Sequence, residues 1–311
     1  MIQILRYSTG FKKQWDDLIR ISRNGSFLFY RDYMDYHVDR FIDCSFLIFR
    51  KGKLEGVLPG NIDGNCFFSH QGLTYGGFVT TTRISTSEMV EVFNILNKEL
   101  KNIGINEVVY KSIPLIYHTI PAQEDIYALF LNKAVKIGCN ISSTIFQNNK
   151  IRFNESRRGG IRKSIRESIQ ISESNDFYTF WGILEDNLDK RFNIKPVHSL
   201  KEMELLTKLF PENIRLFVAL HKGKVVAGTV LYIMKNILHV QYISANKIGK
   251  ENGAIDLLFD FLINIEFQNI PIFDFGQSTE MMGHYLNENL IFQKEGFGGR
   301  GIVYEIYKYN L

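Results

Sequence analysis

Cysteine, proline and tryptophan are all scarce in this chain, and the scarcities close off whole classes of protein. Three cysteines in 311 residues, Cys44, Cys66 and Cys139, leave an odd one and share no metal-like spacing. That excludes a disulfide scaffold and a zinc ribbon, and reads as free, mostly buried thiols in a reducing compartment. No apolar run approaches the ~20 residues that a membrane-spanning helix needs. The opening MIQILRYSTGFKKQW has a brief apolar stretch and no cleavage site, so it does not read as a secretion signal. A cytoplasmic location is the expectation. The net charge of +4 falls short of a dedicated nucleic-acid binder and suits an anionic small ligand. Prolines stiffen what they touch, and Pro114, Pro121, Pro196 and Pro211 mark 113–127 and 193–213 as structured connectors. Ser199 and Glu202 in the second connector read as a capping box that opens a helix.

What is present is an α/β pattern that occurs twice. A hydrophobic fraction of 45% supports proper cores, and the length suggests two domains of roughly 150 residues each. Residues 214–220 and 225–232 are β-rich runs joined by a short Lys-Gly-Lys turn, which reads as a hairpin. In the next run, 237–244, plain alternation sets Ile237, His239, Gln241 and Ile243 against Leu238, Val240, Tyr242 and Ser244. The face with His239 and Gln241 is polar at its centre, which a wholly buried strand avoids. A loop over 246–254 then opens a helix from about Ala254 to Phe267. Its backbone N–H groups and lysines suit a pyrophosphate, with Lys247, Gly249, Lys250, Asn252, Gly253 and Ala254 as the candidate contacts. Earlier, runs at 45–50, 54–58 and 65–70, a helix over about 86–102 and a strand at 107–111 repeat the succession. There the turn is Lys51, Gly52 and Lys53, and His70 keeps nearly the distance from it that His239 keeps from its own. Two units are too few for a solenoid. The expected fold is therefore α/β (α+β): two tandem domains, 1–150 and 151–311, each a mixed central sheet flanked by helices.

The last quarter runs hairpin, polar strand, helix, apolar strand, then NENLIFQKEGF over 287–297. That order resembles the acyl-binding half of a GNAT-type acyltransferase, in which an Asn opens a short helix and Lys-x-Gly-Phe closes it. Asn287, Lys294, Gly296 and Phe297 fill those positions, while Lys250, Gly253 and Ala254 meet the family's phosphate-loop pattern only loosely. The layout in two tandem domains, RRGGIRK over 157–163, Asp274-Phe275-Gly276 and KEGFGG over 294–299 are similar to the Fem-type transferases. The resemblance implies an N-acyltransferase without a metal, taking acetyl-CoA or another acyl-CoA as co-substrate. The implied acceptor is an amine of a cell-envelope, sugar or peptide precursor. Fem-type enzymes instead take amino acids from aminoacyl-tRNA, which is the alternative donor. The small net charge, and the lack of room in 164–213 for a long helical arm, favour acyl-CoA. A non-catalytic ligand-binding protein of the same fold is the competing class.

The same resemblance assigns roles. In GNAT folds the polar fourth strand supplies a backbone donor and often a base, which points to His239 and Tyr242, with Asp274 and Glu280 as alternative bases. Many members place a Tyr five residues after the helix-opening Asn to protonate the leaving thiolate. Here that residue is Phe292, so Tyr285 is the substitute, or the leaving group is not a thiolate. Asn287 joins the donor contacts. Arg158, Arg162 and Arg166, at four-residue spacing, form a positive stripe for a phosphate, or a solvated helix face balanced by Glu155, Glu167 and Glu173. In the first domain, SHQGLTYGG over 69–77 is dense in glycines and hydrogen-bonding groups. With Arg31 and Tyr36 upstream, His70 and Tyr75 make a candidate acceptor site.

Overall fold

A computed structural model describes residues 1–192 and 194–311, side chains at 190–192 excepted; Asn193, the head of the second connector, lies outside the described residues. The chain divides into two compact units. One comprises Met1–Ile141, Thr279–Tyr285 and Val303–Leu311, the other Ser142–Ser278 and Leu286–Ile302.

The first unit begins with β1 (Ile2–Arg6), α1 (Lys12–Ile21), the short α2 (Arg31–Met34) and β2 (Ile42–Asp43). A hairpin of β3 (Phe46–Arg50) and β4 (Lys53–Leu58) follows, then β5 (Asn61–Asp63), β6 (Cys66–Phe68) and β7 (Val79–Thr80). Next come α3 (Thr86–Asn102), β8 (Glu107–Lys111), α4 (Glu124–Leu131) and β9 (Val135–Phe146). The helix expected over 86–102 is α3, opened by a capping box in which Ser85 and Glu88 satisfy each other's backbone N–H groups. Its Met89, Val92, Phe93, Leu96 and Leu100 line one buried stripe. They meet Phe46, Phe67, Val108 and Tyr309 in the unit's main core. Cys44 and Cys66 are buried, and burial pushes each thiol up to about 11; Cys139 is exposed.

The second unit holds α5 (Glu155–Arg166), β10 (Gln170–Ser174), α6 (Phe177–Phe192) and α7 (Leu200–Leu209), the last opened by the capping box read at Ser199 and Glu202. Then come β11 (Ile214–His221), β12 (Lys224–Ile233), β13 (Ile237–Ala245), α8 (Lys247–Glu251), α9 (Ala254–Phe261) and β14 (Ile272–Gln277). A two-stranded hairpin, β15 (Thr279–Glu280) with β16 (Tyr285–Leu286), precedes α10 (Glu288–Gly296) and β17 (Arg300–Asn310). The helix expected to run to Phe267 stays α-helical to Phe261 and finishes as a π turn over Leu262–Glu266.

The duplication is visible bond by bond. Both hairpins turn through two residues of positive φ, Lys51 and Gly52 at 50° and 77°, Lys222 and Gly223 at 50° and 73°. This turn matches the twist of the strands it joins. In each, the register slips one residue at the same offset: Phe49 faces Leu54 but Ile48 faces Gly56, and Leu220 faces Val225 but Ala219 faces Ala227. Glu55 and Val226 are the matching bulges. The strands of the second unit run β10-β11-β12-β13-β14-β9, antiparallel except for the parallel β13–β14 pair. The first unit distributes the matching strands over two sheets, β1-β3-β4-β7 and the run β17-β8-β6-β5-β2, with β6–β8 as the parallel pair. One strand of the second unit is two in the first, because residues 69–78 loop out between β6 and β7. This corrects the matching of His70 with His239. Asn61 pairs with Phe68 as Tyr232 pairs with His239, and Phe68 faces Val109 where His239 faces Asp274. The counterpart pair in the first unit is therefore apolar.

Each unit also takes a strand from the opposite half of the sequence. Residues 142–146 at the end of β9 pair with β14 in the second unit, and residues 306–310 of β17 pair with β8 in the first.

The loop after β6 carries a measurable pH signature. His70 is buried against His37 and Phe41, and its Nδ1 accepts from Gly72 N at 3.2 Å. Burial, with the neighbouring His37, lowers it to about 3. A folded value below the unfolded ~6.5 means stability that is complete above pH 6.5 and lost as pH falls toward 3. Because φ at this position is +72°, Asn is the substitution that keeps both the backbone and an acceptor. His70→Asn should gain about 2 kcal/mol relative to the unaltered protein between pH 7 and pH 5. Urea melts at the two pH values check this, and parallel losses in both proteins would contradict it.

Candidate active site

In the second unit β13 and β14 are parallel neighbours over three residue pairs, Ile237 with Ile272, Leu238 with Phe273 and His239 with Asp274. Their pairing ends there, and the strands open a wedge with a histidine and a carboxylate at its apex. Val240, Ile243, Phe275, Leu290, Gln293 and Lys294 line a small apolar pocket in that wedge.

His239 Nδ1 lies 2.7 Å from Asp274 Oδ2. Asp274 is 0% exposed and His239 7%. A carboxylate so deep costs several kcal/mol unless its lone pairs are filled. The second oxygen, Oδ1, accepts from Ser142 Oγ, from Thr144 Oγ1 at 3.0 Å and from Gly276 N at 3.3 Å. Gly276 itself is required: its φ is +73°, and a Cβ there would stand 3.1 Å from His239 Cε1. Its carbonyl and that of Gln277 accept from Lys294 Nζ at 2.8 and 2.7 Å. Burial lowers this lysine to about 8, opposed by the charge of Asp274.

The alternation expected for β13 is overturned by a bulge. Val230 pairs with Tyr242 and Leu231 with Val240, so Gln241 is the extra residue. His239 consequently shares its sheet face with Tyr242 and Ser244, while Val240 and Ile243 pack with Phe259 and Phe275 in the core below α9. Tyr242 is not placed as a proton donor: its hydroxyl meets His198 Nδ1 at 2.6 Å, and burial pushes it up to about 12. It ties the connector before α7 to the sheet.

The expected phosphate loop is mostly helix. Asn246 caps α8 by accepting from Gly249 N at 3.0 Å. Gly249 is packed so that a Cβ would meet Val226 O at 2.3 Å, and at Gly253 a Cβ would meet Gly160 O at 2.6 Å. Ala254 is fully buried. Gly249, Gly253 and Ala254 thus serve close packing, the last two where α5 crosses the start of α9. Arg157 clamps that crossing through Asp256 at 2.6 Å and lies over the Phe297 ring. Lys247, Lys250 and Asn252 remain as polar groups, the two lysines on an open cleft of about 700 Å³ with Asp186, Asn187 and Glu251. Lys250 also bonds to Asn187 Oδ1. Asn287 caps α10 by accepting from Leu290 N at 3.1 Å, which occupies the side chain expected to contact the donor. In the arginine stripe, Arg158 and Arg162 both bind Glu155, while Glu173 pairs with Arg215.

In the first unit the acceptor-site expectation gives way to a packed interior. Arg31 is 3% exposed, binds Asp35 at 2.5 Å and Asp43 at 2.7 Å, and lies over the Tyr7 ring. Tyr36 stacks on His37. Tyr75 is buried against Tyr117 and Phe29, its hydroxyl 3.3 Å from Ser26 Oγ. Glu280 and Tyr285 stand exposed on the β15–β16 hairpin, which belongs chiefly to the first unit. Sequence reasoning missed Ser142 and Thr144. Their signal was a polar Ser-Ser-Thr run inside an otherwise strand-like segment.

Each unit thus carries strands around one parallel pair, with flanking helices. No known family model and no curated protein matches the sequence. Solved structures do match in fold. FemX superimposes with a TM-score of 0.71 at 8% identity, over 99% of this chain and 97% of that one. The tandem GNAT protein from the clavulanic acid biosynthesis pathway gives 0.52 at 9% identity, over 100% and 98%. The L-PGS of Bacillus licheniformis gives 0.54 at 12% identity, over 82% and 81%. Among the described residues no helix is long and apolar enough to cross a membrane.

Proposed function

We propose that this protein is an acyltransferase that joins an acyl group to an amine, with His239 as the proton acceptor. The observation that carries the reading is the His239–Asp274 pair at the apex of the strand wedge, 2.7 Å apart and nearly enclosed. Past His239 the β13 edge facing β14 is released from the ladder, and an extended amide-bearing donor arm can align on it as an added strand does. The amine nitrogen attacks the acyl carbon and forms the C–N bond, while the carrier's C–S bond, or C–O bond in an ester donor, breaks. His239 takes the amine proton and returns it to the departing sulfur or oxygen. The Lys294 ammonium, anchored on two carbonyls at the wedge, supplies positive potential for the oxyanion that develops between these steps.

Acyl-CoA is the favoured donor, its diphosphate held by Lys247 and Lys250 on the open cleft. The acceptor is an amine on a cell-envelope, sugar or peptide precursor. A second reading, transfer from aminoacyl-tRNA, is favoured by one observation: α5 covers the start of α9, where a diphosphate would otherwise meet helix N–H groups. Lys247→Glu and Lys250→Glu should each weaken acetyl-CoA binding about fivefold, roughly 1 kcal/mol. Lys247 is exposed, so its variant should melt unchanged. Calorimetry with acetyl-CoA and an amine panel tests the donor; unaltered affinity in both variants would remove the diphosphate from this cleft. Transfer from aminoacyl-tRNA without thioester binding would select the second reading. No transfer from either donor would leave a ligand-binding protein.

A further inference from the structure

Ser142 and Thr144 are polar side chains inside the sheet whose hydroxyls are spent on one carboxylate oxygen. They are 0% and 3% exposed, sit on the strand paired with β14, and both converge on Asp274 Oδ1. Two residues apart, they share one face of β9, the face of Asp274, because Thr144 pairs directly with Asp274 and Ser142 with Gln277. The first unit offers an internal comparison. There Val109 stands where Asp274 does, and its partners on β17 are Lys308 beside it and Ile306 two residues on. The hydroxyl pair accompanies the carboxylate and is missing where the carboxylate is missing.

We propose that Ser142 and Thr144 are positioning residues that decide which nitrogen of His239 carries the proton. This rests on the reading of His239 as the group that accepts the amine proton. The Asp274–His239 pair can hold one proton or two. With one, the carboxylate is ionised, the proton is on Nδ1 and the lone pair is on Nε2. A second proton taken from solvent, with Asp274 protonated and Nδ1 accepting from it, leaves the ring's own proton on Nε2, which then cannot take a proton from an amine. Three donors on Oδ1, two of them these hydroxyls, stabilise the ionised form and hold the first arrangement. Removing both hydroxyls withdraws two donors from that oxygen, in a site too enclosed for water to replace them.

The test is the full-length chain labelled with ¹⁵N-histidine, with the His239 ring assigned through His239→Gln. In the unaltered protein Nδ1 should report as protonated and Nε2 as bare. In the Ser142→Ala, Thr144→Val double variant at least half the population should show a protonated Nε2. With an active amine acceptor, kcat should fall tenfold or more with KM unchanged, and Thr144→Ser should stay near the starting value. A folded double variant with the original ring-nitrogen pattern overturns the proposal. If that variant does not fold, Thr144→Val alone, equal in shape, must show a partial shift, and none would overturn it equally. The nitrogen pattern is read without turnover. The expected pattern in a protein that transfers nothing would therefore support the positioning role and sink the transferase reading alone.

Discussion

His239→Gln is expected to lower acyl transfer by about 100- to 10,000-fold, the range that general-base assistance supplies. Glutamine keeps an N–H for Asp274 Oδ2, so the buried carboxylate is not orphaned and melting should shift little. His239→Ala should show the same loss of turnover plus a loss of stability, on the order of 1–3 kcal/mol, because Asp274 then loses its imidazole partner on Oδ2 in a closed site. In both, kcat and kcat/KM should fall together while the donor's dissociation constant holds, the signature of an interaction made only in the transition state. Steady-state kinetics with calorimetry on the same samples decides it. Full turnover in His239→Gln would end the case for His239, and the base would then be sought elsewhere in the chain.

Cutting the chain between residues 150 and 151 should abolish folding of both pieces. A fragment from 151 lacks residues 142–146, so β14 loses its β9 neighbour and Asp274 loses both hydroxyl donors. A fragment ending at 150 lacks β17, the antiparallel partner of β8. It also lacks Tyr309, which is 4% exposed in the first core and bonded through its hydroxyl to Asn97. Unpaired strand edges of this kind aggregate. Expressed apart, the pieces should be insoluble or molten; expressed together, they should recover a cooperative melt. Two soluble fragments with sharp transitions of their own would show that the exchanged strands are dispensable.

Much of this was legible in the residues. The Lys-Gly-Lys turns specified both hairpins, apolar periodicity placed α3, the Ser199–Glu202 signal placed the start of α7, and the run from Asn287 to Phe297 gave α10. His239 and Asp274 were each legible as polar groups on apolar strands. Their contact was not, because it depends on parallel pairing across a crossover. The alternation argument failed at Gln241, since a bulge inserts one residue and reverses every face after it, a local event that composition does not signal. The glycines near Gly253 were misread because close packing between helices and close approach to a phosphate ask for the same missing side chain. Arg31, Tyr75 and His70 looked like a binding surface because polar and aromatic groups are common to sites and to well-satisfied interiors. Burial, which separates the two, is a property of the folded chain.

The strand exchange has a bearing on how the protein is made. An N-terminal domain ordinarily folds while the rest of the chain is still being synthesised. Here the first unit needs Val303–Leu311 to complete its sheet, and those residues leave the ribosome after all the others described. The second unit already has its borrowed strand in hand when its own residues appear, so it can close first. The order of assembly is then the reverse of the order of synthesis, and the N-terminal half must stay open, with the β17 side of β8 unpaired, until Val303–Leu311 emerge. A nonsense mutation or a proteolytic nick a few residues before Leu311 would strike the first unit, some 200 residues away in sequence, and leave the wedge intact.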